Sequence, residues 1–508
     1  MTVQKTALIV PLTLLVVVFQ LVTLAAQDKS GYNWVFGNNS SADPGLEGIV
    51  MSFDNHKVTY DVEDFENVAM ANNSVISDPD GNLLCYATGC RVYNSDYQIM
   101  MNGDSLNYGF IWDEFCGNGF YPMIQSTIIL PDYHNQDQHV LFHKKETFDS
   151  LSNDYIPNKL LYSIIDLSED GGLGTIVEKD VVLESRNRFV TGLIEAVKHS
   201  NMKDWWLLQF VGDTDSIYTY LMDESGPQRY RKQEIQSNLS AELCSGASQA
   251  CFDQRGQQYA MYCPSYGLDV YRFDRSTGLL SNHRYLNRKH SLSTFSGLAW
   301  SPSGQYLYIS ASDTLLQVDT YEDNLEDGVV LIDTYDGFAS PFPVNFVKMQ
   351  IGPNCKIYVS SQSSVRHFSI INSPDEKGLA CDFVQHGIEL PYSVPPVPLP
   401  NVPNFSIDED EVCDPTITSV FGMPVTVNQD AIQIAPNPAS DQTLITFTES
   451  GSGRYSLYDH LGHEMLSDDY REVESLSLDL TPYQSGLYYL QVCDTDGDCV
   501  TEKLVVVE

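Results

Sequence analysis

A polar turn followed by a short β run carrying an aromatic recurs six times between Gln27 and Phe405, and few folds accept such a chain. The clearest copies are Ser77-Asp78-Pro79-Asp80-Gly81 before Asn82-Leu83-Leu84-Cys85-Tyr86, Ser301-Pro302-Ser303-Gly304 before Gln305-Tyr306-Leu307-Tyr308-Ile309-Ser310, and Gly352-Pro353-Asn354-Cys355 before Lys356-Ile357-Tyr358-Val359-Ser360. Weaker copies follow Asn135-Gln136-Asp137-Gln138, Met202-Lys203-Asp204 and Asp253-Gln254-Arg255-Gly256. Turn residues 81, 137, 204, 256, 304 and 354 are spaced by 48 to 67 residues, a period that corresponds to one four-stranded propeller blade each. In Ser-Pro-x-Gly the proline presets its own φ and the glycine supplies φ > 0. Each blade leaves two faces that only neighbouring blades can cover, so the array closes radially. Six units plus the strand region Trp34 to Val62 predict about seven blades, with six or eight as alternatives and a large β-sandwich or β-helix as the competing folds.

The order of Trp34-Val35-Phe36-Gly37-Asn38-Asn39, Ile76 to Tyr86, Val92-Tyr93-Asn94, Met101-Asn102-Gly103, Gly171-Gly172-Leu173-Gly174, Glu195 to His199 and Pro400-Asn401-Val402-Pro403-Asn404-Phe405 resembles the WD40-like or YVTN-like propellers of exported Bacteroidetes proteins. Cys85 and Cys355 depart from that pattern and suggest disulfide bracing. The prolines Pro391, Pro395, Pro396, Pro398, Pro400 and Pro403 form an extended stretch expected to close the last blade. Ser406 to Val420, with Asp408-Glu409-Asp410-Glu411, reads as a solvated linker, the linker as a whole covering 406–430.

Residues 431–508 form a second module. Pro436 and Pro438 fix φ and disfavour helix on either side of Asn437. Leu476, Leu478 and Leu480 alternate with Ser477 and Asp479, the period of a half-buried strand. About six such runs fit a small Ig-like β-sandwich. Pro436-Asn437-Pro438, then Asp459 and Gly462 of Asp-x-x-Gly, then Gly486 and Tyr488 of Gly-x-Tyr, resemble in order the type A C-terminal sorting domain of the type IX secretion system. That resemblance implies the type IX secretion machinery as a partner, export across the outer membrane, and attachment or release at the cell surface.

At the other end, Lys5 precedes an uncharged run from Ala7 to Ala26 that closes on small residues. It reads as a signal peptide over residues 1–26, with a membrane anchor as the alternative. No further segment is apolar enough to span a bilayer, so no membrane span is expected in the mature chain.

The chain has 68 acidic and 28 basic residues, for a net charge of −40. Nucleic acid is excluded as a partner, because phosphate binding needs clustered Lys and Arg. Eleven cysteines in an exported chain suggest disulfides, with at least one thiol left over. Cys493 and Cys499 flank an apparent hairpin tip and are a candidate bridge. Cys85 and Cys90 flank another turn and are a weaker one.

Catalytic signatures are absent. His134, His139 and His143 tempt a metal reading, but residues 139 and 143 of one strand lie about 13 Å apart, too far for one ion, and unrelated surface histidines are expected. Asp494-Thr495-Asp496-Gly497-Asp498 has carboxylates at alternate positions but lacks the bidentate Glu of a calcium loop; no cofactor is expected, with weak calcium binding as the minority reading. Ser245-Gly246-Ala247-Ser248 lacks the second Gly of a nucleophile elbow. Trp112, Trp205, Trp206 and Trp300 serve either blade cores or a sugar- or peptide-binding face. The expected function is a secreted or surface-attached binding scaffold for an unidentified extracellular glycan or protein. The alternatives are a propeller lyase or hydrolase acting on glycans, marked by converging carboxylates or a His–Tyr pair at the channel mouth, and an adhesive structural protein, marked by a plugged mouth and an acidic, featureless rim.

Overall fold

The computed structural model describes residues 27–37, 48–54, 57–63, 65, 72–118, 121–150, 154–186, 188–212, 214–235, 244, 248–290, 295–407, 413–415, 417–419, 432–459, 464–494 and 499–507. Among the described residues seven consecutive sheets, antiparallel but for one added strand in the first, form the blades of a propeller. Their inner strands are Asn33–Phe36, Ser74–Ser77, Thr127–Pro131, Glu195–Lys198, Gln249–Phe252, Gly297–Trp300 and Met349–Ile351. Blades three to seven each run inner to outer through four strands in chain order, and blade two has three. All six recurring turns link the inner strand of a blade to its second strand. Gly81, Gly256 and Gly304 hold positive φ there (95°, 63° and 73°), and in blade seven Cys355 takes the same place at 64°.

The inner strands are buried along their whole length in most blades, as NWVF, SVIS, EAVK and GLAW show. A strand covered on both faces cannot alternate apolar and polar residues, which is why periodicity is clearer in the outer strands. The ring closes from blade seven to blade one through aromatic packing. Trp34 lies edge-on to Tyr358 (5.2 Å), and Phe36 to Phe368 (5.6 Å). Trp205, Trp206 and Trp300 are fully buried and so belong to blade cores. Trp112 is half-buried.

Two expectations are corrected by the path of the chain after blade seven. Only Pro391 belongs to that blade, in the outer strand Phe383–Val394 that pairs with Val365–Ile371; the rest of the proline-rich stretch leaves it, turns inward and runs through the centre of the ring. Of the expected linker, Ser406, Ile407 and Cys413 are buried, Cys413 is bonded to Cys355, and Thr418–Ser419 adds in parallel to Lys57–Val58 as the outermost strand of blade one. Residues 408–412 and 420–431 lie outside the described residues.

The cysteine expectations are also revised. Cys90 pairs with Cys116, and Cys244 with Cys263. Cys85 is a buried free thiol, its place in the second strand facing Ile76 and Asn94 rather than Cys90. Cys251 and Cys381 are also free. His139 and His143 are buried rather than on the surface. His143 is held by Asn107 (2.8 Å) and Ser163 (3.1 Å), and burial lowers its pKa to about 3 and that of His139 to about 4. His134 lies apart, bonded to Asp204.

The C-terminal module has five strands among the described residues. Gln442–Asp459 and Glu464–Asp479 are long and bulged. One half of the first pairs with Ile432–Ala435 and the other with Gly486–Asp494, so the bulged strands serve both layers of a small sandwich. Leu478, Leu480, Leu490 and Leu504 fill its core, and Leu476 packs against it.

Candidate functional site

The inner strands of a propeller surround an axial channel, and here Val397–Ile407 occupies it. The segment enters where the inner strands begin. Val397 N–H donates to Ser361 O, and the Lys348 ammonium donates to Leu399 O (2.8 Å). Asn401 is the hub. Its backbone N–H donates to Asn73 O (2.7 Å), and its side-chain amide donates to Thr127 O and Ile194 O (3.0 Å each). Its carbonyl oxygen accepts from Gln125, whose amide also reaches Ala250 O and Glu195. One asparagine and one glutamine thus tie blades two, three, four and five. Gln249 extends the network, donating to Met349 O and accepting from Leu298 N–H and Met349 N–H, which joins blades five, six and seven.

At the far end Asn404 donates to Gln254 O (2.7 Å), Lys198 donates to Phe405 O, and the Ser406 hydroxyl donates to Asp28 O. Phe405 packs edge-on against Trp205 (5.9 Å). Ile407 meets the blade-five turn at Gly256, where a Cβ would stand 2.6 Å from its side chain. The sequence explains why this chain can cross a dry channel. Buried backbone N–H groups must be paired, and proline has none. Pro398, Pro400 and Pro403 remove three donors, while the asparagine after each of the last two supplies a side chain that bonds the wall.

A cavity of about 100 Å³ remains beside the segment, lined in part by Trp34, Glu195, Cys251, Trp300, Gln350 and Asn404. Two ionisable groups at the wall are strongly perturbed. Burial pushes Glu195 up to about 8, against the opposing effects of the Gln125 hydrogen bond and the Lys348 charge. Burial lowers Lys348 to about 7, with Glu195 opposing. Perturbed acids and bases can mark catalysis, but each of these has a structural partner in hand. Asp253, also at the wall and raised by burial, accepts from Gln257 and Gln258 N–H and caps its turn. No histidine is among the cavity-lining residues. Among the described residues no group of three or more His, Cys, Asp or Glu side chains is placed to hold a metal.

None of Gln125, Glu195, Lys348 or Asn401 stood out from the sequence as a site residue. The available signal was the doubled Pro-Asn of Pro400-Asn401 and Pro403-Asn404. The sorting-motif residues cluster elsewhere. Pro436, Asn437 and Pro438 are exposed; Pro436 O accepts from the Thr443 hydroxyl, and Asn437 Oδ1 accepts from Val505 N–H (2.9 Å), which docks the turn onto the last strand. Asp459 stands opposite Tyr488 in register. Tyr488 is buried and donates to Gln484 O, just before Gly486 opens its strand. Gly462 lies outside the described residues, as do residues 495–498 of the expected calcium turn and 245–247 of the serine run. Cys493 and Cys499 face each other in register, and Cys493 is disulfide-bonded.

Comparison with known families matches residues 433–507 to the secretion system C-terminal sorting domain. The protein is therefore a secreted or cell-surface-attached protein. A comparison with curated sequences finds no match. Among solved structures, a Lactobacillus plantarum protein is similar at 10% identity and a TM-score of 0.42, over 73% of this chain and 98% of that one. The periplasmic gluconolactonase PpgL of Pseudomonas aeruginosa is similar at 12% identity and 0.40, over 73% and 97%. A putative 6-phosphogluconolactonase from Bacteroides uniformis is similar at 12% and 0.38, over 72% and 98%. Among the described residues no helix is long and apolar enough to cross a membrane.

Proposed function

We propose that the type IX secretion machinery exports this chain by its C-terminal module and that the propeller then serves at the cell surface as a non-catalytic binding scaffold. The observation that carries the second half is the occupied channel. Propeller ligands commonly meet polar residues from several blades where the loops converge on the axis, and here those polar residues are bonded to Val397–Ile407 of the same chain. Recognition then falls to the rim and the outer blade surfaces. An adhesive structural role shares the plugged channel and differs in calling for an acidic, featureless rim.

The export half is tested by mass spectrometry of the native secreted protein beside a form truncated before Ile434. A mature wild type that has lost the C-terminal module, with retention of the truncated form inside the envelope, is expected; unaffected export of the truncated form would overturn it. The catalytic alternative predicts turnover in a lyase and hydrolase screen that collapses in Glu195→Gln. On the scaffold reading, wild type shows none.

A further inference from the structure

Among the described residues blade two has three strands rather than four, and the chain that follows them carries an exposed set of rings. Helix Phe110–Phe115 turns Ile111 inward, where it packs with Cys90, Cys116, Tyr121 and Met123. Of its aromatic residues Phe110 turns outward, while Trp112 and Phe115 are half-buried against that cluster. Tyr108 is 57% exposed, Phe110 50%, and Tyr155 of the adjoining blade-three strand 39%. The rings fall into two contact groups. Tyr108 lies 5.5 Å from Trp112, Phe110 stacks on Phe148 at 5.1 Å, and Phe148 meets Tyr155 at 5.5 Å.

Exposed aromatics held this firmly need a reason, since rings left at a free surface keep apolar area in contact with water, and a contiguous patch of them marks an interaction site. The Cys90–Cys116 disulfide ties down the end of the helix. Trp112 Nε1 donates to Cys90 O, and Arg91 lies over the Trp112 ring at 5.5 Å while bonded to Asp104. Lys145 donates to Tyr108 O. The cations near the rings are thus engaged within the chain, whereas Asp113 and Glu114 on the same helix are exposed and among the described residues make no ion pair. Ring faces beside free carboxylates suit a cation: the ring quadrupole attracts Arg or Lys over its face, and a chain of net charge −40 steers positive partners toward it.

We propose that this surface, with Tyr108, Phe110 and Tyr155 as ring faces and Asp113 and Glu114 as counter-charges, docks an arginine- or lysine-bearing segment of a partner protein. The proposal rests on the scaffold reading above by naming the surface through which the scaffold binds.

The test is fluorescence anisotropy at physiological salt with the full secreted protein and a labelled Arg-Gly repeat peptide, alongside labelled cellohexaose. Tyr108→Ala/Phe110→Ala leaves the net charge unchanged and is expected to weaken peptide binding at least tenfold. Asp113→Asn/Glu114→Gln is expected to weaken it similarly, while Glu322→Gln/Asp323→Asn, a charge-matched change on exposed blade-six residues, shifts it less than twofold. Phe110→Lys keeps the surface soluble and should abolish binding. Equal loss in both carboxylate pairs with no effect of the aromatic pair would reduce the binding to the overall charge and overturn the proposal. Cellohexaose binding that disappears in the aromatic pair while peptide binding persists would overturn it in favour of a glycan. Neither outcome bears on catalysis, which is read separately from turnover in Glu195→Gln.

Discussion

Glu195 and Lys348 show how a residue's environment outweighs its type. Each would be an ordinary surface charge if exposed, and each is instead buried at the channel wall. The consequence is a pH dependence that can be signed. Native Glu195 keeps its proton up to about 8 while the unfolded chain releases it near 4.5, so stability falls as pH rises through that window. Native Lys348 gives up its proton near 7 while the unfolded chain holds it to 10.5, so stability recovers at higher pH. Urea unfolding of wild type and Glu195→Gln at pH 5, 6.5 and 8 should show the two diverging with pH, the Gln variant gaining relative to wild type by pH 8. Parallel curves would mean Glu195 is not protonated in the native state. Glu195 appeared in the sequence only within the Glu195–His199 run of the propeller resemblance, since nothing local says that the other blades will remove it from water.

At the scale of the element, the threaded segment and its clasp matter most. Val397–Ile407 crosses the ring, the Cys355–Cys413 bridge fixes it to the blade-seven turn across a separation of 58 residues, and Thr418–Ser419 completes blade one. Cross-linking a loop of this length restricts the unfolded chain, an effect of about 2 to 4 kcal/mol. Cys355→Ser/Cys413→Ser should lower unfolding free energy by that order in urea titration. A variant as stable as the oxidised wild type would assign the closure to strand pairing and channel hydrogen bonds alone. The six blade turns were legible because Pro, Gly and Asp act within four residues. The clasp was not, because its cysteine partners and its receiving strand lie far away in the chain.

The whole molecule is two units of different legibility. Removing everything after Ser419 takes away only the sorting module and should leave a propeller with a single cooperative transition by calorimetry. Removing everything after Val394 also takes the channel segment and the outer strand of blade one, and should abolish that transition, since the hydrogen bonds from Gln125 and Lys348 to the segment and from Asn401 to Thr127 and Ile194 would be lost at about 0.5 to 1.5 kcal/mol each, together with the Cys355–Cys413 bridge. If both truncations melt alike, the threaded segment is dispensable. By itself the sequence determined the all-β class, the blade period, the turn chemistry and the export module, because strand alternation, proline and glycine conformations and short motifs are local properties of a chain. Only the tertiary structure decided that the proline-rich stretch fills the axis, that Cys90 takes Cys116 rather than Cys85, and that Glu195 and Lys348 are buried. Each of those outcomes depends on which distant surfaces meet when seven blades close into a ring.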